Sequence, residues 1–326
     1  RTELGGLYND VFNNTVTPKY DGSHLTINGS NPEMEMRPHQ KNAVQRIINS
    51  GGNTLLAHRV GAGKTYEMAA AAMKLRQLGI VKKPLIISPK NLVAQWGNEF
   101  LNYFPAAKIL VLESDDFTPT NRKLFANRIA TGDYDAVIMS YEQFGAVPMS
   151  TANQEAFYQS QIDALEMAIL ESKRASGKDP SIRDMERSKK SFEAKLKKLG
   201  DSKKDVDNID FEQLGVDALF VDEAHNFKNL FYTTKMQGIA DLGNKEGSQR
   251  AFDLYMKVRY LQQLNGGRGI VFATATPVMN SVVELYTMQR YLQGDLLDAK
   301  GLTNFDAWAN QFGDVVTIRK MKTGGN

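Results

Sequence analysis

The sequence predicts an α/β fold in which helices cover both faces of a parallel β-sheet. Six short runs are almost wholly apolar and rich in β-branched or aromatic residues, as strands buried on both faces should be. Helical patterns lie between most of these runs, and strands that alternate with helices at this spacing indicate parallel pairing. The six runs are TLLA (54–57), PLIISP (84–89), KILVLE (108–113), DAVIMS (135–140), DALFVD (217–222) and GIVFAT (269–274).

The elements before and around the first two strands can be placed in order. Residues 1–35 are polar and rich in turn-forming residues, which predicts a linker or N-terminal extension. HQKNAVQRIIN (39–49) places its apolar residues on one helical face. TLLA leads directly into a glycine loop, and KTYEMAAAAMKLRQLG (64–79) is predicted to be the helix after that loop. NLVAQWGNEFLNYF (91–104) is predicted to be the helix after the second strand.

Residues 150–212 have no strand signal, and they predict a charged helical hairpin inserted between two parts of one domain, 36–149 and 213–326. Between positions 171 and 205 there are twelve Lys or Arg and seven Asp or Glu, so the hairpin accounts for the net charge of +3. A solvated helical face is the simpler interpretation, and a phosphate-backbone contact or partner-docking arm is the alternative. Two apolar stripes at helical spacing flank a charged turn near GKDPS (177–181): Tyr158, Ile162, Leu165 and Ile169, then Ile182, Met185, Phe192, Leu196 and Leu199.

Composition excludes several classes of site and partner. The chain has 326 residues, 42% hydrophobic and 24% charged, which is ordinary for one large or two smaller globular domains. It has no cysteine, so disulfides and thiolate metal sites are excluded, and its four histidines lack metal-ligand spacing. No apolar run approaches the roughly 18 residues of a membrane-spanning helix. We therefore expect a cytoplasmic protein with no membrane partner.

AHRVGAGKT (57–65) predicts a phosphate-binding loop between the first strand and the helix that follows it. The usual pattern G-x-x-x-x-G-K-[ST] has glycine at the position that His58 occupies here. Glycines at 61 and 63 let backbone N–H groups approach phosphate oxygens, which side chains would otherwise block. Lys64 would reach the phosphates, and the Thr65 hydroxyl would hold Mg²⁺. The alternative is a glycine-rich helix start with an incidental lysine.

LFVDEAHNFKN (219–229) places two carboxylates directly after a predicted strand. Ligands bind at this carboxyl edge in open α/β sheets. Asp222 could hold Mg²⁺ while Glu223 polarises the attacking water. A pair of solvated acids is the alternative, but a phosphate-binding loop upstream favours an ATPase. Lys64, Asp222 and Glu223 are therefore the candidate catalytic residues.

These motifs together resemble the first RecA-like motor lobe of superfamily 2 helicases, and within that group the Swi/Snf-type double-stranded DNA translocases. Six motifs lie in the family's order over about 250 residues, which makes the resemblance highly specific. The family opens its variant glycine loop with an acidic residue instead of glycine, so His58 is no objection to the loop. The matching segments are MRPHQ (36–40), HRVGAGKT (58–65), LIISPKNLVAQWGNEFLNYFP (85–105), DAVIMSYEQF (135–144), VDEAHNFKN (221–229) and ATATPVMNSVVELY (273–286).

The resemblance implies a P-loop NTPase that uses ATP and Mg²⁺ to move on double-stranded DNA. Adenine would be read at MRPHQ, chiefly by Gln40. His225, Thr274 and Thr276 would couple the nucleotide state to DNA contacts. The implied nucleotide-binding positions are Arg37, Gln40, Gly61, Ala62, Gly63, Lys64 and Thr65.

The DNA contacts follow from position at strand ends on the sheet edge that the family uses to hold a phosphate backbone. Lys90, Ser140 and Tyr141 lie there, and a lysine with two hydroxyls suits sequence-independent contact. An ordinary surface role is an equal alternative for Lys90. Trp96 is predicted to pack its helix against the sheet and not to stack on a base.

A narrower resemblance rests on FEQLGVDALFVDEAHNFKNL (211–230), preceded by the charged insert and followed by TKMQGIA (234–240). This segment and its two flanking segments are similar to those of very large proteins of phages and conjugative elements. Such proteins often carry an N6-adenine DNA methyltransferase region before the helicase. We therefore expect a mobile-element protein in a bacterial or phage-infected cell. A methyltransferase region would belong to the full-length protein, since no N-P-P-[FY] tetrapeptide occurs in this chain.

The residues after the sixth motif contain a helical pattern and a polar segment with NFDAWANQFG (304–313), but no second RecA-like lobe. In the family that lobe supplies the arginine finger and half of the DNA track. We therefore expect this chain to bind ATP–Mg²⁺ weakly and to hydrolyse it poorly. Two alternatives stay open: a restriction-type translocase subunit, and a non-catalytic fragment that binds DNA or protein through the 150–212 hairpin.

Overall fold

The computed structural model contains one sheet of six parallel strands, which confirms the predicted α/β fold. It describes residues 18–50, 53–113, 121–175, 180–201, 209–236, 242 and 245–313. The strand order is β1-β6-β5-β2-β4-β3, so one strand separates the strand before the glycine loop from the strand before the two carboxylates. The strands are β1 (Thr54–Leu56), β2 (Pro84–Ser88), β3 (Ile109–Val111), β4 (Ala136–Ser140), β5 (Ala218–Val221) and β6 (Ile270–Ala273).

Each predicted run forms a strand, and every strand is one to three residues shorter than its run. The α-helices are α1 (Pro38–Asn49), α2 (Lys64–Gln77), α3 (Val93–Tyr103), α4 (Arg122–Thr131), α5 (Tyr141–Ala146), α6 (Thr151–Ala175), α7 (Pro180–Asp201), α8 (Gln249–Leu264), α9 (Val282–Leu292), α10 (Gly294–Ala299) and α11 (Phe305–Phe312).

Two hydrophobic layers cover the sheet, because successive strand residues point to opposite faces. On one face, Leu219 and Val221 pack with helices α4 to α9. On the other face, Ala218 and Phe220 pack with helices α1, α2 and α3. All four of these strand residues are fully buried, which explains why their runs are apolar without alternation.

Helices α6 and α7 form the predicted hairpin in the region 150–212. Lys173 lies 3.4 Å from Glu186, and Lys189 lies 2.6 Å from Glu166, so the two helices run antiparallel. The buried members of both stripes face α8, where Phe252 stacks on Tyr158 with ring centroids 5.6 Å apart. The hairpin is therefore packed on the domain along its apolar side. Most of the predicted GKDPS turn lies outside the described residues.

The described part of the N-terminal segment, from residue 18, packs against the domain. Leu25 is buried, and the Tyr66 hydroxyl donates to the carbonyl of Met34 at 2.7 Å. Lys74 Nζ donates to the carbonyl of Thr26 at 2.7 Å, and Asn31 Nδ2 donates to that of Asn102 at 3.0 Å. These bonds hold the segment on helices α2 and α3.

The C-terminal segment corrects one expectation from the sequence. NFDAWANQFG is described above as polar, but it forms helix α11 and buries Phe305 and Trp308. These two rings join Tyr232 and Tyr286 in a third hydrophobic cluster. The aromatic residues stand three apart and share one helical face, and that spacing outweighs the polar residues between them.

No helix in the described part of the chain is long and apolar enough to cross a membrane.

Candidate functional site

The predicted site residues follow β1, β5 and β6, three neighbouring strands of the sheet. Because all strands are parallel, their carboxyl ends meet at one edge. The glycine loop follows β1, Asp222 and Glu223 follow β5, and Thr274 follows β6. The fold therefore brings the motif residues together along this edge.

The glycine loop has a backbone that its glycines make possible. Gly61 has φ +80° and Gly63 has φ +86°, in the left-handed region that favours glycine. Gly63 directly precedes α2, and Lys64 is its first helical residue. Lys64 is buried, and its Nζ donates to the carbonyls of His58 and Arg59 at 3.2 and 3.3 Å. The ammonium group is thus held inside the curve of the loop.

Gln40 contacts the loop directly. Its Nε2 donates to the carbonyl of Ala62 at 3.1 Å, and its Oε1 accepts from the backbone N–H of Arg37 at 2.8 Å. A Cβ at position 63 would lie 2.2 Å from Gln40 Nε2, so the glycine also makes room for this amide. Gln40 fixes the shape of the loop in this structure, and its contact with adenine stays a prediction.

Beneath the loop lies a cluster that the sequence reasoning missed. Glu67 on α2 is fully buried, and both of its carboxylate oxygens lie 2.9 Å from His58 Nδ1. Burial raises the pKa of Glu67 to about 7, although His39 and Lys64 lower it. Burial also lowers the pKa of His58, and both directions favour the uncharged forms. His58 thus anchors the loop entry to α2, at the position where the usual pattern has glycine.

Asp222 is the most constrained carboxylate of the site. It is buried, and its Oδ2 accepts from Trp96 Nε1 at 2.9 Å while its Oδ1 accepts from the backbone N–H of Glu223 at 3.0 Å. Burial raises its pKa above the ordinary value, and the Trp96 hydrogen bond and the charge of Lys64 lower it. Trp96 packs in the core as predicted, and it also orients Asp222. The N–H of a buried tryptophan needs a hydrogen-bond acceptor, and this need is the only feature of the sequence that points to a polar partner for Trp96.

Glu223 is the one described residue other than glycine with positive φ, at +48°. Such a conformation is strained and is common where a functional side chain must be aimed. His225 Nδ1 lies 3.2 Å from Glu223 Oε2 and 3.1 Å from Thr274 Oγ1. The Thr274 hydroxyl also accepts from the backbone N–H of Thr276 at 3.1 Å. The three predicted coupling residues therefore form one continuous chain of contacts with Glu223.

A second link joins the same two motifs. Lys228 Nζ lies 2.8 Å from Glu284 Oε1 on helix α9. The other oxygen of Glu284 accepts from the backbone N–H of Met279 at 2.7 Å, which holds the loop after β6. This ion pair ties VDEAHNFKN to ATATPVMNSVVELY through a partly buried contact.

The three predicted DNA-contact residues lie in different environments. Lys90 is exposed, in a single 3₁₀ turn after β2. Ser140 is buried and caps helix α5 by accepting from the backbone N–H of Gln143 at 3.2 Å. The buried Tyr141 hydroxyl donates to the carbonyl of Asp222, and burial raises its pKa well above the ordinary value. DNA contact by these side chains stays a prediction, and Lys90 alone presents its charge to solvent here.

The residues present fit a magnesium nucleotide. The Thr65 hydroxyl and the Asp222 carboxylate are hard oxygen donors, the type that Mg²⁺ binds, and Mg²⁺ usually takes its other ligands from phosphates and water. Within the described ranges, no group of three or more His, Cys, Asp or Glu side chains could hold a metal ion alone.

Removing the indole hydrogen bond tests the orientation of Asp222. Trp96→Phe should destabilise the fold by about 1–2 kcal/mol and raise the Mg²⁺ concentration for half-maximal ATPase about tenfold. Trp308→Phe is the matched control, because Trp308 is also buried and also donates through Nε1, but to Gln289 on helix α9 and not to a carboxylate of the site. Denaturant unfolding and magnesium titrations measure both effects. If Trp96→Phe and Trp308→Phe showed equal magnesium dependence, the assignment of Trp96 as the residue that orients Asp222 would be wrong.

The chain resembles several proteins of known kind. It is 25% identical over 98% of its length to Defense against restriction protein B of Escherichia phage P1, of which the match covers 16%. It is 30% identical over 31% of its length to the uncharacterized ATP-dependent helicase YqhH of Bacillus subtilis, of which the match covers 18%. It is 32% identical over 33% of its length to the ISWI chromatin-remodeling complex ATPase ISW2 of Saccharomyces cerevisiae, of which the match covers 10%. The chain thus spans less than a fifth of each relative.

Among solved structures, a Sulfolobus solfataricus SWI2/SNF2 ATPase core in complex with dsDNA is similar with a TM-score of 0.46. The identity is 14%, and the match covers 92% of this chain and 43% of that one. The predicted resemblance to helicases of the Swi/Snf type is confirmed by these relatives together. A family model described as a probable helicase domain matches residues 46–319, which is most of the chain, and the protein therefore belongs to this family of helicase domains.

Proposed function

We propose that this helicase domain is the N-terminal, ATP-binding motor lobe of a longer protein that moves on double-stranded DNA. The observation that carries the proposal is the convergence of Lys64, Asp222 and Glu223 at one sheet edge, with the His225–Thr274 contact joining them to the third motif. A helicase domain uses a nucleotide, and ATP with Mg²⁺ is the assignment that these residues support.

The roles of the residues follow from their positions. The backbone of Gly61, Ala62 and Gly63 would surround the phosphates, and Lys64 would exchange its loop carbonyls for phosphate oxygens. Thr65 and Asp222 would hold Mg²⁺, which supplies positive charge to the phosphate oxygens when bound.

Glu223 would accept a proton from the attacking water, since its side chain is partly exposed at the end of β5. Gln40, with Arg37 at the start of the same helix, would read the adenine edge. The bond between His225 and Thr274 gives a direct route by which a change at Glu223 reaches the loop after β6.

The remaining assignments concern the longer protein. We propose that residues 1–35 enter the lobe, that 36–149 and 213–326 form it, and that the 150–212 hairpin is an insertion. A second RecA-like lobe and a methyltransferase region would lie elsewhere in the full-length protein. The match along nearly the whole chain to 16% of a phage protein supports a longer full-length protein and a place in the cytoplasm of a bacterial or phage-infected cell.

ATPase assays with and without duplex DNA test the proposal. The full-length protein should be stimulated at least tenfold by duplex DNA, and residues 1–326 alone should show little stimulation because the second lobe supplies the arginine finger. Duplex RNA of the same length is the matched nucleic-acid control. A full-length protein whose ATPase ignores duplex DNA would overturn the translocase assignment.

A further inference from the structure

A cleft of about 360 Å³ lies between insertion helix α7 and the segment 245–249 that leads into α8. It is separate from the phosphate-binding loop and from the predicted DNA-contact residues. We call it the α7–α8 cleft. Its lining includes Arg187, Phe192, Lys195, Lys245, Ser248 and Phe252.

The lining of the α7–α8 cleft is cationic. Arg187, Lys195 and Lys245 contribute three positive charges, and Glu246 contributes one negative charge. Lys245 has a further carboxylate nearby, since its Nζ lies 3.4 Å from Asp184 Oδ2. Three serine hydroxyls also line the cleft, and they can donate hydrogen bonds to an anion.

Lys195 is a half-buried cation of the cleft that rests on aromatic rings. Its Nζ lies 4.5 Å from the ring centroid of Phe252 and 5.5 Å from that of Phe192. Aromatic faces stabilise a cation only partly, and burial lowers the pKa of Lys195. Among the described residues, no Asp or Glu forms an ion pair with it.

Lys257 shows how the same domain satisfies a buried lysine. Lys257 is also placed over two aromatic rings, Phe144 and Phe211, but its Nζ also lies 2.8 Å from Asp253 Oδ2 and donates to the carbonyl of Phe144 at 2.7 Å. Lys195 has the rings and lacks the carboxylate. An anionic ligand in the cleft would supply the missing charge.

The wall of the cleft is hydrogen-bonded to the backbone at the end of the VDEAHNFKN motif. Gly247 has φ +72°, and a Cβ there would lie 2.4 Å from the backbone nitrogen of Phe231. Ser248 N donates to the carbonyl of Asn229 at 2.7 Å, and Tyr232 N donates to that of Lys245 at 3.1 Å. An occupant of the cleft would therefore press on the backbone that follows the Asp222–Glu223 pair.

The chemistry of the lining indicates which group enters. The rings of Phe192 and Phe252 are buried beneath Lys195. Arg290 lies over the half-buried ring of Phe231 at 4.9 Å from its centroid, so cations already cover the rings on which a base would stack. Charged and hydroxyl donors suit a phosphate oxygen, and such contacts are independent of base sequence. We propose that the α7–α8 cleft binds a phosphate of the DNA backbone, as a contact additional to the predicted strand-edge residues; this rests on the proposed function in DNA translocation.

The test compares two charge-matched pairs of substitutions on labelled duplex DNA, by fluorescence anisotropy at several salt concentrations. Lys195→Gln/Lys245→Gln should weaken binding about tenfold and reduce the salt slope by about 1–2. Lys197→Gln/Lys198→Gln removes the same charge from exposed positions of α7 outside the cleft, and it should weaken binding less than twofold. Thermal unfolding would show that both variants remain folded. Equal loss in the two pairs would overturn the proposal.

A titration with inorganic pyrophosphate distinguishes the two possible ligands of the cleft, a phosphate of DNA and a small phosphate compound. If calorimetry shows that the wild type binds pyrophosphate in the cleft while both pairs bind DNA equally, the site takes a small phosphate compound and the DNA assignment is wrong. If the proposed function itself is wrong, duplex DNA will neither bind the wild type nor stimulate the full-length ATPase. If the wild type binds and responds to DNA but the two pairs behave alike, the translocase assignment stands and the cleft proposal alone is rejected.

Discussion

Lys64→Ala should reduce ATP turnover by the full-length protein about 10³-fold and abolish detectable ATP–Mg²⁺ binding to residues 1–326. The ammonium group is held at the start of α2 by two loop carbonyls, so its removal takes away the positive charge inside the curve of the loop. The loss of a single preorganised electrostatic contact to the transition state costs about 10²–10³ in rate, and Lys64 would also contribute to binding. Phosphate release and a fluorescent ATP analogue measure the two effects.

Lys74→Ala is the matched control for this substitution. Lys74 lies further along the same helix, and its Nζ donates to the carbonyl of Thr26 away from the strand edge. It should keep wild-type turnover and binding. Similar losses in both variants would indicate general damage to α2 and would contradict a phosphate-binding role for Lys64.

Glu223→Gln should separate binding from chemistry at the same site. The amide keeps the size of the side chain and cannot accept a proton from water, so turnover should fall at least 10²-fold while ATP affinity changes less than about threefold. Wild-type turnover in this variant would exclude Glu223 as the base. The comparison is informative because the backbone at Glu223 is strained whichever side chain is present.

The strand edge could be predicted from sequence because its signals are local. A strand followed by GAGKT or by DEAH places the ligand-facing residues at a known end of a parallel strand, whatever the rest of the chain does. The contact between His225 and Thr274 required the resemblance, because 49 positions separate them and no local pattern joins them.

The supporting contacts were beyond sequence reasoning. Trp96 and Asp222 are 126 positions apart, and only the packing of α3 on the sheet brings them within a hydrogen bond. No motif singles out Glu67 in the sequence, yet α2 is buried almost all round, so its carboxylate is enclosed beside His58. The left-handed turn at Glu223 is likewise set by tertiary contacts, since nothing in VDEAH favours positive φ.

The role of His58 at the entry of the glycine loop is explained by the family resemblance and the structure together. His58 breaks the usual pattern, and the family resemblance explained only why glycine is dispensable there. The structure adds that the imidazole makes a specific bond to Glu67, while the backbone curvature depends on Gly61 and Gly63. A polar residue at the loop entry is therefore a structural part of this site.

Lys257→Met should destabilise the domain by about 3–5 kcal/mol, the range for breaking a buried ion pair. Lys257 is fully buried on α8, and Asp253 one turn earlier keeps only 20% of its side chain exposed. Methionine fills the space of the lysine stem, so lost packing is small and the cost comes from leaving Asp253 without its cation. Denaturant unfolding of the wild type and the variant measures this difference.

The double variant Asp253→Leu/Lys257→Met completes the argument, since it removes both charges and leaves apolar side chains of similar volume. It should recover most of the stability, because replacing a whole buried pair is far less costly than breaking it.

The single variant Lys257→Met should also respond to pH. Burial raises the pKa of Asp253 above 3.8 and Lys257 lowers it, so removal of Lys257 raises it further. The carboxylate penalty is complete above that raised pKa and is lost as the pH falls toward 3.8, so the single variant should be closer to wild type at pH 5 than at pH 8. A destabilisation that is the same at both pH values, or a double variant as unstable as the single one, would show that packing and not charge explains the loss.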